Sequence, residues 1–134
     1  MSIASDSLPA VPPVLKILAR PQDINIHGDI FGGWLMSQVD IAGGLIAADR
    51  ARGRVATVAV NSFQFLKPVK VGDLVMCFAE IVRIGNTSIG VDLQVFVERR
   101  LEPSHQAVHL LVAQAHFVYV CLEPDGRARP VPAV

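Results

Sequence analysis

The chain has 134 residues, enough for one domain with a sizeable core and too few for two ordinary ones. Lys+Arg and Asp+Glu balance at 12 each, which leaves no basic excess to attract nucleic acid. Hydrophobic residues make up 51% and charged residues only 18%, an apolar balance for a small soluble monomer that points to buried subunit contacts.

Residues 1–13 are rich in Ser, Pro and Ala and read as a loose arm. They carry no charged start followed by an apolar block, so no secretory signal is expected. Val14 to Ala19 is a short strand, stopped near Pro21. Gln22 to Gly33 holds three glycines and Asn25, the composition of a shaped loop. Trp34 to Ala51 has no proline and reads as a helix, with Gly53 placed for a left-handed cap. Apolar residues lie nearly all round it, which predicts burial on most sides.

After Gly53 the period changes to two. Val55 to Leu66 is a strand ended by Pro68, and Val71-Gly72-Asp73 is a turn. Leu74 to Arg83 and Ser88 to Arg100 are strands joined by the hairpin signal Ile84-Gly85-Asn86-Thr87. In the second, Ile89, Val91, Leu93, Val95 and Val97 mark one face, with Asp92, Gln94 and Glu98 on the other. Gln106 to Leu122 is a long strand, apolar on both faces, and residues 123–134 are a turn and a Pro-rich tail. One domain, residues 14–122, is expected, of α+β class: a curved antiparallel sheet around one long helix, with sheet edges suited to dimerisation. The apolar runs are broken by Asp40, His109 and His116, so no membrane span is expected. Cys77 and Cys121 are expected to be reduced, buried thiols, consistent with the cytoplasm.

Asp40 is the most informative residue. An ionised carboxylate inside an apolar helix is costly unless it is paired, wet or functional. Gly33, Met36, Ser37, Gly43 and Gly44 share its face, and four of these five are small, leaving room for a substrate or water. The three glycines weaken the helix by roughly 1 kcal/mol each relative to alanine. The competing reading pairs Asp40 with a cation such as Arg54 and lets the glycines admit a strand. The glycine-rich entry from Asn25 to Gly33 offers backbone N–H groups to an oxyanion. It lacks the Lys and Ser/Thr of a nucleotide-binding loop, and an ordinary tight turn is the plain alternative. His109 and His116, seven apart on a strand, are expected on opposite faces and not as a metal pair, and no metal site is expected. His27 lies close enough to be an acid or base. No Gly-x-Ser-x-Gly elbow occurs.

The run Pro21-Gln22-Asp23-Ile24-Asn25-Ile26-His27-Gly28-Asp29-Ile30-Phe31-Gly32-Gly33-Trp34-Leu35-Met36-Ser37-Gln38-Val39-Asp40 closely resembles the signature of YciA-type acyl-CoA thioesterases, which have the hotdog fold. The similarity continues through Gly53-Arg54-Val55, Phe65-Leu66-Lys67-Pro68-Val69, Val71-Gly72-Asp73 and Gly85-Asn86-Thr87-Ser88-Ile89. The resemblance implies that acyl-CoA thioesters are hydrolysed to free acid and CoA, with no cofactor beyond the CoA of substrate and product. It implies Asp40 as general base or nucleophile, Asn25 of a partner subunit orienting water or thioester, and Gly32 and Gly33 N–H groups polarising the carbonyl. It places pantetheine along Thr57 and Val58, and His27 and Gly28 at the substrate. The CoA phosphates would meet Arg54, Arg83 and the hairpin Asn86, Thr87 and Ser88. The sequence departs from the family pattern at Asn86, a position often basic or Thr, and at His27, often Asn. The implied assembly is a homodimer as the minimal active unit, within a hexameric trimer of dimers. Phe63, Phe65 or Met36 would line the acyl tunnel. Two other functions are open: a hotdog enoyl-CoA hydratase or dehydratase using His27, and a non-catalytic acyl-CoA sensor.

Overall fold

The computed structural model describes residues 5–134, and the first four residues of the expected arm lie outside the described residues. Five strands, β1 (Leu15–Leu18), β2 (Val55–Phe65), β3 (Leu74–Ile84), β4 (Ser88–Leu101) and β5 (Gln106–Cys121), form one antiparallel sheet in the order β1-β3-β4-β5-β2. The helix α1 (Gly32–Ala51) crosses one face of that sheet and touches all five strands. The core lies between them. Leu35, Val39, Ala42, Ala47 and Ala51 of α1 meet Val75 and Cys77 of β3, the alternating Ile89, Val91, Leu93, Val95 and Val97 of β4, and Phe117 and Tyr119 of β5. Those five β4 residues are the ones that the period of two assigned to one face, and Asp92 and Gln94 are exposed on the other.

The sheet covers α1 from one side only. Ile41 and Leu45 remain half exposed, so within one chain the helix is not buried on most sides, as its apolar composition predicts. Strand β2 forms the sheet edge beside this open face, and its Val58 and Val60 are exposed. The helix cap also differs from expectation. Arg52, not Gly53, takes the left-handed conformation, at φ 52° and ψ 43°, and its N–H bonds to the carbonyls of Ala48 and Asp49. Gly53 is small for another reason: a side chain there would press on the Arg129 guanidinium, which donates to the terminal carbonyl of Ala51 (2.7 Å) and to Leu122 O (3.0 Å). The C-terminal segment is tied to the same helix end, where Arg50 donates to Pro132 O and Arg52 to Ala133 O.

An extra residue in β5 changes the phase of that strand. Val95 pairs with Ala113 and Phe96 with Leu111, so Val112 is a bulge, and both Val112 and Ala113 are buried. The odd spacing of His109 and His116 therefore does not send them to opposite faces. Both lie on the outer face, where His109 Nε2 meets Glu98 Oε1 (3.1 Å) and His116 Nδ1 meets Asp92 Oδ1 (2.6 Å). Each imidazole has its own carboxylate, and among the described residues no group of His, Cys, Asp and Glu has the arrangement of a metal site. Ser5 and Asp6 of the N-terminal segment bond to His109 and Leu111 on this face. Leu8 packs on the cluster Met76, Phe78 and Phe96. Cys77 and Cys121 are buried free thiols, and burial pushes the Cys77 thiol up to about 12. Among the described residues no helix is long and apolar enough to cross a membrane.

The turn at residues 70–73 depends on one buried ion pair. Asp73, 2% exposed, takes two bonds from Arg99, at 2.9 and 2.7 Å, and one from the Lys70 N–H (2.8 Å). The hydrogen bonds that Arg99 donates to Asp73 raise its guanidinium above the ordinary range. Removing the carboxylate strands a half-buried cation and a backbone donor. Asp73→Ala is expected to cost about 3 kcal/mol. Arg100→Ala, which breaks only the exposed pair with Glu98, is expected to cost less than about 1 kcal/mol. Urea unfolding of both variants measures the contrast, and equal midpoints would refute it.

Candidate active site

The entry to α1 is a loop closed on itself. Asn25 N donates to Asp29 O (2.6 Å), Gly28 N to Asn25 O (3.1 Å), and the Asn25 side-chain oxygen accepts from the N–H groups of His27 (2.8 Å) and Asp29 (3.2 Å). Gly28 turns the chain at φ +83°, a conformation that suits glycine. Lys70 braces the loop through an ion pair to Asp29. The two N–H donors fix which end of the Asn25 amide is the oxygen, and its NH2 group makes no hydrogen bond among the described residues.

Phe31 precedes the first helical turn and offers no side-chain cap. Leu35 N is the first amide to close a helical bond, to Phe31 O. The N–H groups of Gly32, Gly33 and Trp34 therefore have no partner among the described residues, the usual state of a helix N-terminus and a favourable one for negative charge. Gly33 is exposed with open space where a side chain would start, whereas Gly32 lies under the Phe65 ring. Phe65 and Leu66 help line a hollow of about 290 Å³ beside this turn. Phe63 stacks on Phe65, ring centroids 4.6 Å apart.

Two turns further along α1, Asp40 is half-buried and held by two hydroxyls. Thr57 Oγ1 donates to its Oδ1 at 2.6 Å. The Tyr119 hydroxyl lies 3.2 Å from the same oxygen and 3.0 Å from the Asp40 backbone carbonyl. Thr57 and Tyr119 are direct partners across the β2–β5 ladder, so one rung of the sheet presents both. Two bulges in β2, at Val58 and Asn61, set that register. Burial above all, then the Asp40 charge and hydrogen bond, raises the Tyr119 phenol far above its ordinary range, so it is a fixed donor. No cation pairs with Asp40 among the described residues. Arg54, the alternative partner by sequence, is exposed and donates to Pro124 O (3.1 Å).

Tyr119 is the residue that sequence reasoning missed, and it revises the meaning of the glycines. A methyl group at Gly43 would overlap the Tyr119 hydroxyl and crowd its ring, so the space beside Asp40 on that side holds the phenol, not water. At Gly44 an added methyl would meet the same ring at 3.7 Å, an ordinary contact. The available signal was that Tyr119 is the only tyrosine of the chain, in a strand otherwise apolar inward, where a buried hydroxyl needs a partner.

The other expected site residues fall into two groups. His27 is exposed beside Asn25 and Gly28, and its ring has no partner among the described residues. Arg54, Arg83, Asn86, Thr87 and Ser88 gather at the far end of the sheet, where Ser88 pairs with Val120 and Val120 with Ala56, and Arg83 with Gly90. Asn86 O accepts from Val131 N and Thr87 O from Cys121 N, so the hairpin is braced by the C-terminal segment. Val58 is the exposed bulge residue next to Thr57. Thus the chain brings Asp40 to Thr57, keeps Asn25 with His27 and Gly28 at the loop, and does not bring Asn25 into hydrogen-bonding contact with Asp40. A larger groove, about 770 Å³, lies elsewhere, on the outer face between the N-terminal segment and His116, Asp92 and Gln114.

Comparison with known proteins agrees with this geometry. The thioesterase superfamily pattern matches residues 27–104. The acyl-CoA thioester hydrolase YciA of Salmonella typhimurium is 48% identical over 128 residues, 95% of each chain. The hexameric thioesterase of Yersinia pestis superposes with a TM-score of 0.85 at 44% identity, over 95% of this chain and 100% of that one. An acyl-CoA hydrolase of Staphylococcus aureus, solved with butyryl-CoA and CoA, superposes with a TM-score of 0.78 at 31% identity, over 90% of this chain and 71% of that one. Alanine variants of the Staphylococcus enzyme replace an Asn, an Asp and a Thr that follow one another at the spacings of Asn25, Asp40 and Thr57. The chain belongs to the thioesterase superfamily, among the YciA-type acyl-CoA thioester hydrolases, and its sheet-wrapped helix is the hotdog fold.

Proposed function

We propose that this protein hydrolyses acyl-CoA thioesters, with Asp40 as the reacting carboxylate and Asn25 supplied by a second copy of the chain. The observation that carries this reading is the state of Asp40: a half-buried carboxylate held by two hydroxyls, on a helix whose first N–H groups find no partner among the described residues, where the carboxylate finds no cation either. Acting as base, the carboxylate takes a proton from water while the water oxygen attacks the thioester carbonyl. Acting as nucleophile, it attacks that carbon itself and forms an anhydride that water then opens. Either way the carbonyl oxygen becomes negative, and the N–H groups of Gly32 and Gly33 are the donors suited to receive it. Collapse of the tetrahedral intermediate breaks the C–S bond and expels CoA as a thiolate. A thiol of pKa about 8.5 leaves with little acid assistance, in keeping with a site that has no paired histidine. His27 has no carboxylate partner among the described residues, which disfavours the hydratase reading.

A second copy enters this reading because Asn25 and Asp40 of the one chain share no hydrogen bond among the described residues. The half-exposed Ile41 and Leu45 of α1, beside the open edge strand β2, offer an apolar surface for it. The relatives from Yersinia pestis and Campylobacter jejuni are hexameric, which supports a trimer of dimers here. Arg54, Arg83 and the hairpin of residues 86–88 supply the cations and donors for the CoA phosphates, and Thr57 and Val58 the edge along which pantetheine lies. The reaction needs no cofactor, and the cytoplasm is the expected compartment.

Asp40→Ala is expected to slow thiol release from acyl-CoAs roughly 10²- to 10⁴-fold, with the fold and CoA binding retained. Wild-type turnover in that variant would remove Asp40 from the mechanism. The shared site has its own test. Co-expressed Asn25→Ala and Asp40→Ala chains form mixed dimers with one intact site, so about a quarter of wild-type activity is expected from random pairing. If the mixture is as inactive as each variant alone, Asn25 and Asp40 belong to the same chain's site.

A further inference from the structure

We infer that Tyr119 is a positioning residue for Asp40, acting with Thr57 to occupy Oδ1 and leave Oδ2 as the oxygen that meets water or thioester. This rests on the reading of Asp40 as the reacting carboxylate and adds a residue and an atom to it. Four observations converge. The Tyr119 hydroxyl is within hydrogen-bonding distance of both the Asp40 backbone carbonyl and Oδ1, so its single proton holds the side chain in register with its own helix turn. Thr57 donates to the same Oδ1, and among the described residues Oδ2 receives no bond. The phenol ring is 1% exposed and confined by α1 at Gly43 and Gly44 on one side and by Phe117, centroids 6.3 Å apart, on the other. Residue 43 has no side chain, and any side chain there would push the hydroxyl away. Apolar packing alone would be served by phenylalanine. A buried hydroxyl is costly to desolvate unless its partner repays it, and Asp40 is the partner this one has.

The consequence is an asymmetric carboxylate. Two hydroxyls on one oxygen fix the rotation about the Cβ–Cγ bond, so the remaining oxygen has one position. A base or nucleophile held in one position avoids the loss of rate that follows from small misplacement.

Tyr119→Phe keeps the ring and removes the donor. The expected result is a kcat lower by roughly ten- to a hundredfold, with KM unchanged because the phenol, 1% exposed, is closed off from a substrate's reach. A purely structural tyrosine would lower the unfolding temperature and leave the kcat of the folded enzyme in place, and wild-type kcat would overturn the inference. Gly43→Ala displaces the hydroxyl while keeping the phenol. It is expected to lower kcat at unchanged KM in the same way, and it decides the matter if Tyr119→Phe does not fold. Asp40→Ala, assayed beside them, separates the two readings. If it is active, the carboxylate mechanism fails; if it is inactive while Tyr119→Phe behaves as wild type, only the positioning role fails.

Discussion

The helix lies close enough to the sheet for a strand residue to bond to its backbone, and residue 43 makes that approach possible. With a methyl group at Gly43, the Tyr119 hydroxyl and the α1 backbone could not both keep their places. With hydrogen there, the last strand reaches the carbonyl of Asp40 directly. Glycine in a helix interior costs roughly 1 kcal/mol relative to alanine. Here that cost is offset by a contact between the buried sheet and the one carboxylate whose setting matters. The helix also remains anchored at its C-terminus, where Arg129 bonds to the Ala51 carbonyl and a left-handed Arg52 ends the turn. Its N-terminus, by contrast, has no side-chain cap. Rigidity is thus concentrated where the helix is only structural, and unpaired donors where chemistry is proposed.

Bulges do the remaining placement. Val58 and Asn61 interrupt β2 so that Thr57 stands opposite Tyr119, and Val112 interrupts β5 so that its two halves keep their apolar residues inward. Without the bulge at Val112, the strand carrying Tyr119, Phe117 and Ala115 would put Leu110 and Val108 on the wrong face, because side chains alternate with a period of two. The same bulge collects both histidines on the outer face, each beside a carboxylate of β4.

This explains what the sequence made legible. Strand β4 is regular from Ile89 to Val97, so its alternation could be read directly and matches the observed core. The helix and hairpin were marked by absence of proline and by Gly85-Asn86, and Gly32–Ala51 begins two residues before the expected start. Asp40 stood out because a carboxylate among apolar residues is costly. A bulge has no such mark: Val112 is one more valine in a valine-rich strand, and nothing local distinguishes it. Tyr119 was illegible for a related reason, since its partner lies 79 positions away and only the register of two strands brings them together. The glycine stripe was open to two explanations, room for a substrate or room for a strand, and composition could not choose between them: at Gly43 the strand's Tyr119 fills the space, whereas Gly33 faces open space.

The division of labour between the two halves follows from hydrogen-bond inventory. Asn25 commits its oxygen to two N–H groups of its own loop, so only its NH2 remains, and that group can donate but not accept. Asp40 is the reverse: with hydroxyls directed at Oδ1, what remains is a second oxygen that can only accept. Water activation needs an acceptor for the proton, and carbonyl polarisation needs a donor to the oxygen. Neither residue can perform the other's task, and within one chain they do not meet. In the mechanism proposed above, each chain therefore contributes one donor and one acceptor to two shared sites. In that proposal the second chain sits on the apolar face left open on α1, next to the edge strand β2.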